Sequence, residues 1–219
     1  MNVYFYDRLL ERKVRRRGTP DHVAVVTSGS DLLDGGFETV SDLLCWFSEL
    51  EVERVSLYVS LADSDDPAEI YDGISRLDIP GVGVDAVGDS HGHGDGTSTH
   101  RPIDIEEAGG SEDETRVKVS VGLGGRNEFV GALRQMAREV EDDELDPDDV
   151  DEETIERHLV FKGEPDMMIT GNDRLSDFMI WQSVYTELYF ADFSWDSLRK
   201  RDLLRAFREF QDRERRFGK

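Results

Sequence analysis

Cysteine is almost absent from this chain, because Cys45 is the only one among its 219 residues. A single thiol excludes an internal disulfide, and so little cysteine is typical of a reducing compartment. We therefore expect a cytoplasmic protein. Long apolar runs are missing too, since no stretch approaches the roughly 20 residues that a membrane-spanning helix needs. The first residues show no apolar segment followed by a small-residue cleavage site, so we expect no secretory signal.

Positive charge is scarce as well. Lysine and arginine together number 26 against 49 acidic residues, which gives a net charge of −23. Such a balance disfavours nucleic acid as a partner, because non-specific binding depends on neutralising phosphates. The acids are spread over many segments. That spread favours adaptation to a high-salt cytoplasm over the alternative, a single acidic binding face. We therefore expect a halophilic protein that binds no nucleic acid.

What the sequence does contain is a pattern of short apolar runs alternating with amphipathic segments. Hydrophobic residues make up 37 % of the chain, with eleven Phe and three Trp, enough for one real core. The alternation predicts an α/β fold with a central, mostly parallel sheet flanked by helices, in one domain over 1–219. Strands are predicted over 22–27, 54–60, 81–87, 116–121 and 167–169, helices over 1–17 (with its pattern from 3), 37–50, 67–77, 127–140, 151–159 and 196–216, a flexible acidic and glycine-rich loop over 89–114, and a buried apolar stretch over 178–190.

In folds of this class, ligands bind beyond the carboxyl ends of the strands. Those ends are predicted at Ser28-Gly29, at Ser60, at 122–125 and at Thr170-Gly171. The glycines of 122–125 allow close backbone approach to a phosphate, although the following Arg126 could simply cap a helix entrance. We therefore expect any ligand site at this edge of the sheet.

Four short motifs near the end of the chain occur at spacings that an amphipathic element does not need. They are RLSDF at 174–178, WQ at 181–182, ELYF at 187–190 and RERRFG at 213–218. Together with HVAVVTSGS at 22–30 and GLGGR at 122–126, they resemble the cis-prenyltransferases of the undecaprenyl diphosphate synthase family. That resemblance implies the fold just described, condensation of isopentenyl diphosphate with an allylic diphosphate, Mg²⁺ as cofactor and a dimer.

The resemblance also implies roles for individual residues. Arg174 and Ser176 match the residues that hold isopentenyl diphosphate, and Glu187 matches a glutamate linked to the metal. Arg216 and Gly218 match an Arg-x-Gly motif that reaches into the site of a partner subunit. The expected substrate-binding set is Ser28, Gly29, Arg126, Arg174, Ser176, Arg216 and Gly218, with Glu187 as the metal ligand.

The part of the site that would hold the allylic diphosphate departs from the family pattern. Ser28 stands where the family has a magnesium-binding aspartate, Ser30 where it has asparagine, and the segment from Gly29 to Phe37 is shortened. A serine cannot replace a carboxylate as a ligand of a hard cation at similar affinity. We therefore favour a catalytically impaired accessory subunit of a complete cis-prenyltransferase.

Two other functions stay open. One is an active transferase in which Asp31 or Asp34 replaces the lost aspartate, and the other is a protein that binds isoprenoid diphosphates without catalysis. The partners are then isopentenyl and allylic diphosphates, together with a second copy or a complete cis-prenyltransferase. Peripheral contact with a membrane is a further expectation.

Other residues have plainer interpretations, some with an alternative. Glu187, in an apolar stretch, could be paired with a structural arginine instead of a metal. Arg213, Arg215 and Arg216 could form a cationic helix end. We expect His22 to orient the start of a strand and Cys45 to be buried in a helix. The remaining set, His91, His93, Asp95 and His100, could ligate a metal by composition but is more typical of a glycine-rich loop.

Overall fold

The computed structural model describes residues 3–62, 64–77, 82–88, 115–170, 178–184, 186–190, 195 and 197–217; of 3–6, 82–88, 190 and 214–217 it describes the backbone alone. The strands are β1 (His22–Ser28), β2 (Arg54–Ser60), β3 (Val82–Gly88), β4 (Thr115–Val121), β5 (Met167–Thr170) and β6 (Glu187–Phe190). The helices are α1 (Val3–Arg17), α2 (Gly29–Asp31), α3 (Phe37–Glu49), α4 (Pro67–Ser75), α5 (Gly125–Glu141), α6 (Glu152–His158) and α7 (Lys200–Phe217), with a π-helical segment at Leu32–Gly36 and a 3₁₀ turn at Pro147–Asp149.

The described strands form one sheet in the order β3-β4-β2-β1-β5-β6, and every pair is parallel. The predicted α/β architecture is therefore confirmed. The register aligns Ser28 with Ser60 and Val26 with Thr170, so the carboxyl ends of β1, β2 and β5 lie along one edge. The central strands are short and apolar because helices cover both of their faces.

The side chains of the central strands alternate between two apolar layers, one on each face of the sheet. On β1, Val23 and Val25 belong to the larger core together with residues of α1, α3, α4 and α7. Ala24 and Val26 face the other layer, which contains Phe161, Phe178 and Met179. This second layer is also the side of α5, because buried Glu128 of that helix accepts a hydrogen bond from the Phe161 N–H.

Three expectations need correction. The stretch 178–190 is not buried throughout: Phe178 and Met179 are, but Ile180 and Val184 are 48 % and 69 % exposed. Its end is the unpredicted strand β6, whose four residues are too few to show a period. The last helix begins at Lys200, not at 196, and Cys45 lies in α3 as expected but is only half-buried. The predicted loop 89–114 lies outside the described residues.

Candidate functional site

The carboxyl end of β1 turns directly into a helical turn through Ser28. Ser28 has extended backbone dihedrals and caps α2, since its hydroxyl oxygen accepts a hydrogen bond from the Asp31 N–H at 3.2 Å. The same hydroxyl donates to the Asp31 carboxylate at 2.5 Å and lies 3.0 Å from the Ser30 hydroxyl. Two hydroxyls and a carboxylate therefore converge where the strand ends.

A second carboxylate approaches the same turn from the segment after β2. A Cβ atom placed on Gly29 would lie 2.6 Å from Oδ2 of Asp65 and 2.7 Å from Cδ1 of Ile70, so a larger residue here would have to displace these side chains. Asp65 is held in place because its carboxylate accepts a hydrogen bond from the Ala62 N–H at 2.8 Å. Asp31 and Asp65 thus both approach the Ser28-Gly29 turn and provide oxygen ligands of the kind that magnesium prefers.

The end of β4 adds a glycine-rich turn at the same edge. Gly122 has a positive φ of 75°, and Gly124 is the N-cap of α5 without a side-chain hydrogen bond. Arg126 follows in the first turn of that helix, exposed to solvent and engaged in an interaction of its own. Because β4, β2 and β1 are neighbours, the end of β4 is about two strand spacings, roughly 10 Å, from the end of β1.

A crevice is expected between β1 and β5, because the described segments that follow these neighbouring strands pack on opposite faces of the sheet. After β1 it continues into α3, which packs into the larger core. After β5 it returns through Phe178 and Met179, which pack into the second layer. Such a divergence opens a ligand crevice at the carboxyl edge of parallel sheets. Ser28 and Thr170 end the two strands between which the crevice is expected, and Arg174 and Ser176, which follow Thr170 in the sequence, lie outside the described part.

Comparison with known proteins identifies the family. The profile of the family described as "Putative undecaprenyl diphosphate synthase" matches residues 69–218. The chain belongs to this family.

Curated relatives extend the match to almost the whole chain. A tritrans,polycis-undecaprenyl-diphosphate synthase (geranylgeranyl-diphosphate specific) from Methanopyrus kandleri is 36 % identical and covers 98 % of this chain and 90 % of its own. An enzyme of the same name from Methanocaldococcus jannaschii is 31 % identical over 98 % and 88 %. The first alignment runs over 247 positions, more than the 219 residues here, so that relative has residues without a counterpart in this chain.

Solved structures agree on the fold. A probable undecaprenyl diphosphate synthase from Campylobacter jejuni matches with a TM-score of 0.61 and 25 % identity, covering 91 % of this chain and 99 % of its own. The lavandulyl diphosphate synthase of Lavandula x intermedia, solved with dimethylallyl diphosphate, matches with a TM-score of 0.65 and 23 % identity over 88 % and 95 %, and supports the fold alone.

Glu187, the expected metal ligand, lies far from Ser28 in the sheet. It is aligned with Met167 at the start of β5, and Met167 is aligned with Val23, so Glu187 lies at the amino edge of the sheet. Ser28 is five residues further along β1, a separation of about 16 Å along the strands. Glu187 accepts from Arg213 at 3.1 Å, the structural pairing that the sequence left open. Its metal role stays a prediction.

The remaining expected site residues lie near or beyond the end of α7. Arg216 belongs to the last turn of that helix, where the structure describes only the backbone, and Gly218 is outside the described residues. The described part contains no group of three or more His, Cys, Asp or Glu that could hold a metal ion. None of its helices is long and apolar enough to cross a membrane. His91, His93, Asp95 and His100 also fall outside it.

Sequence reasoning missed a buried polar cluster in the second apolar layer. Glu128 of α5, 4 % exposed, accepts from the Phe161 N–H at 2.7 Å, and Gln182 donates to the Phe161 carbonyl at 2.6 Å. Burial raises the pKa of Glu128, although hydrogen bonds from Phe161, Gln182 and Val160 oppose that shift. Lys118 donates to the Val160 carbonyl at 2.7 Å and lies 5.6 Å from the Phe161 ring centroid.

This cluster gives the WQ motif a structural role. Gln182 fixes the backbone at Phe161, and Trp181 stacks on Phe129 of α5 with ring centroids 5.6 Å apart. Both contacts hold the chain where it returns from 171–177, the segment of Arg174 and Ser176. The motif was the only signal in the sequence for this cluster, and it did not reveal the partners.

Proposed function

We propose that this chain takes part in polyprenyl diphosphate synthesis and handles isopentenyl and allylic diphosphates at the carboxyl edge of its sheet. The observation that supports this most directly is that the described segments after β1 and after β5 pack on opposite faces of the sheet, at the switch point beside Ser28. Membership in the undecaprenyl diphosphate synthase family supports the same substrates.

The chemistry sets what such a site must do. The C–O bond of the allylic diphosphate breaks, and the diphosphate leaves with the bonding electrons. The double bond of isopentenyl diphosphate attacks the allylic carbon, and a proton is then lost from the neighbouring carbon. Arg126, Arg174 and Ser176 would bind diphosphate oxygens, since arginine donates two parallel hydrogen bonds to such groups. A bound magnesium ion would neutralise charge on the leaving diphosphate.

Within this framework the chain acts as an accessory subunit of a complete cis-prenyltransferase. Ser28 ends β1 where the family has its magnesium-binding aspartate, and a hydroxyl is a poor substitute for that carboxylate. Loss of a charged contact at an active site typically costs about 10²-fold or more in rate. The chain would contribute through its C-terminal end, with Arg216 and Gly218 entering the partner's site.

A second candidate, an active magnesium-dependent transferase, is favoured by one specific contact. The Asp31 carboxylate lies 2.5 Å from the hydroxyl of Ser28, the residue expected at the position of the family aspartate, so a carboxylate is present beside that position. Magnesium is usually bound by one or two carboxylates together with substrate phosphates, and Asp31 with Asp65 fits that set. The relatives named as synthases point the same way.

A prenyl-transfer assay separates the two candidates. Purified chain is incubated with labelled isopentenyl diphosphate, geranylgeranyl diphosphate and magnesium, alone and with a co-expressed complete cis-prenyltransferase. We expect no product from the chain alone and stimulation of the partner. Arg216→Ala should abolish the stimulation, whereas Arg205→Ala, an exposed arginine of the same helix, should not.

Variants at the β1 turn decide the alternative. If the chain alone forms product, Asp31→Asn should lower the rate about 10²-fold. Asp34→Asn tests the other expected replacement carboxylate, which is exposed three residues further on, and should leave the rate unchanged if Asp31 is the replacement. Equal loss from both variants would reject Asp31 as the replacement carboxylate. Binding of either diphosphate with neither product nor stimulation would support the third function, non-catalytic binding.

A further inference from the structure

Helix α1 is a cationic element in a strongly acidic protein. Its 15 residues include six cations, Arg8, Arg12, Lys13, Arg15, Arg16 and Arg17, against the acids Asp7 and Glu11. Leu10 and Val14 face the core, and Gln211 of α7 donates to the Val14 carbonyl at 3.0 Å. These contacts fix which side of α1 faces solvent.

That solvent side carries a row of arginines at helical spacing. Arg8, Arg12 and Arg16 are exposed and succeed each other every four residues, which makes them neighbours about 6 Å apart on the helix surface. None of the three forms an ion pair or a hydrogen bond with a side chain of the described residues, whereas Arg15 pairs with Glu11 and Arg17 with Asp212. We call Arg8, Arg12 and Arg16 the arginine ridge.

The ridge is unfavourable for the isolated chain. Like charges four residues apart destabilise a helix, by about 0.2–0.5 kcal/mol for each pair. The chain has 49 acidic residues, enough to give every exposed arginine an ion-pair partner. Together with Glu11 and Arg15 the ridge arginines line one groove, and Leu9 beside it is 42 % exposed. The three arginines of the ridge, without a side-chain partner among the described residues and next to an apolar side chain, are complementary to phosphates on an apolar layer.

We propose that the arginine ridge docks this protein on a membrane surface rich in anionic phospholipid headgroups. Guanidinium groups suit this task because they bind phosphate oxygens in pairs at short range. Such contacts persist when salt has screened the long-range field of the acidic surface. The choice of a lipid rests on the proposed function, since a polyprenyl diphosphate carries a long apolar chain that belongs in a bilayer.

Vesicle co-sedimentation tests the proposal without substrate or turnover. The full chain is mixed with vesicles of phosphatidylcholine and with vesicles that contain equal parts of phosphatidylglycerol, at about 0.15 M and about 2 M salt. We expect binding to the anionic vesicles alone. The triple variant Arg8→Gln, Arg12→Gln, Arg16→Gln should reduce the partition coefficient on the order of 10²-fold at the lower salt, because each arginine near an anionic surface contributes about fivefold.

The control is a triple variant with the same change in charge elsewhere, Arg134→Gln, Arg138→Gln and Arg205→Gln, three exposed arginines of α5 and α7. It should bind like the wild type, and circular dichroism should show both variants folded, since glutamine is a good helix former. Equal loss in both variants, or undiminished binding of the ridge variant, would refute the proposal. So would light scattering that shows a wild-type dimer dissociated by the ridge variant, because the ridge would then cover protein.

The outcome is independent of prenyl transfer. Binding that depends on the ridge, combined with neither product nor stimulation of a partner, would uphold the docking surface and reject the proposed function. Stimulation of a partner without vesicle binding would uphold the proposed function and reject the docking surface.

Discussion

His22 shows how one buried side chain ties stability to pH. It is 2 % exposed at the start of β1, where Nδ1 lies 3.2 Å from the Glu164 carbonyl and Nε2 lies 2.9 Å from the Ser56 hydroxyl. Because the carbonyl can only accept, Nδ1 carries the proton and Nε2 accepts from Ser56. Burial, with Arg54 adding repulsion, lowers the pKa of His22 to about 4. The expected role in orienting the strand start agrees with these contacts.

The pH dependence follows from that lowered pKa. The unfolded chain binds a proton at His22 near pH 6.5 and the folded chain only near pH 4, so stability falls as pH drops between these values. The loss amounts to about 3 kcal/mol when the window is crossed. We expect urea unfolding from pH 7 to pH 4.5 to show a smaller decline for His22→Gln than for the wild type. Parallel declines would contradict this role for His22.

Among the elements, α5 and the returning segment 178–184 are joined by Glu128 and Gln182 through the backbone N–H and C=O of one residue, Phe161. Burial raises the pKa of Glu128. A raised folded-state pKa means that its contribution to stability is fully present below pH 4.5, the ordinary value, and lost as pH rises through the folded value. The cluster therefore holds the two elements together at some cost near neutral pH.

Substitution at Glu128 separates the hydrogen bond from the charge. Glu128→Leu leaves the buried Phe161 N–H without its acceptor, and we expect the free energy of unfolding to fall by about 1–3 kcal/mol. Glu128→Gln keeps an acceptor and removes the charge, so it should cost less and remove this part of the pH dependence. The control is Glu141→Leu at the exposed end of the same helix, which should stay within about 0.5 kcal/mol. A Gln variant as unstable as the Leu variant would show that the charge itself is needed.

Local patterns account for most of the elements but not for this cluster. The runs that became β1 and β2 are short, apolar and bounded by turns, so their sequence already indicates buried parallel strands. Asp31 could be proposed from the sequence as a neighbour of Ser28, because it lies only three positions further along the chain. Glu128 and Phe161 are 33 residues apart, and no periodicity links such a pair. The ELYF motif indicated a site residue at Glu187, but only the register shows which edge of the sheet it occupies.

At the scale of the whole molecule, charge repulsion opposes folding. The net charge is −23, and much of it lies on residues 141–153, where every acidic residue is exposed. Salt shortens the reach of this repulsion from about 10 Å at 0.1 M to about 3 Å at 1 M. The expectation of a halophilic protein therefore predicts that the melting temperature rises steeply with salt over this range.

Removing charge from one acidic cluster tests whether repulsion causes the salt dependence of the melting temperature. Asp142→Asn, Asp143→Asn and Glu144→Gln neutralise three exposed neighbours, and asparagine tolerates the positive φ of 58° at Asp143. At 4–8 Å, each like-charge pair in water costs on the order of 0.5–1 kcal/mol. This variant should melt higher than the wild type at low salt and show a shallower salt dependence.

Neutralising Glu11, Asp72 and Asp212, which pair with arginines, should give no such gain. Equal gains from both variants would mean that net charge alone matters. No gain from the first variant would mean that salt acts mainly by strengthening apolar burial.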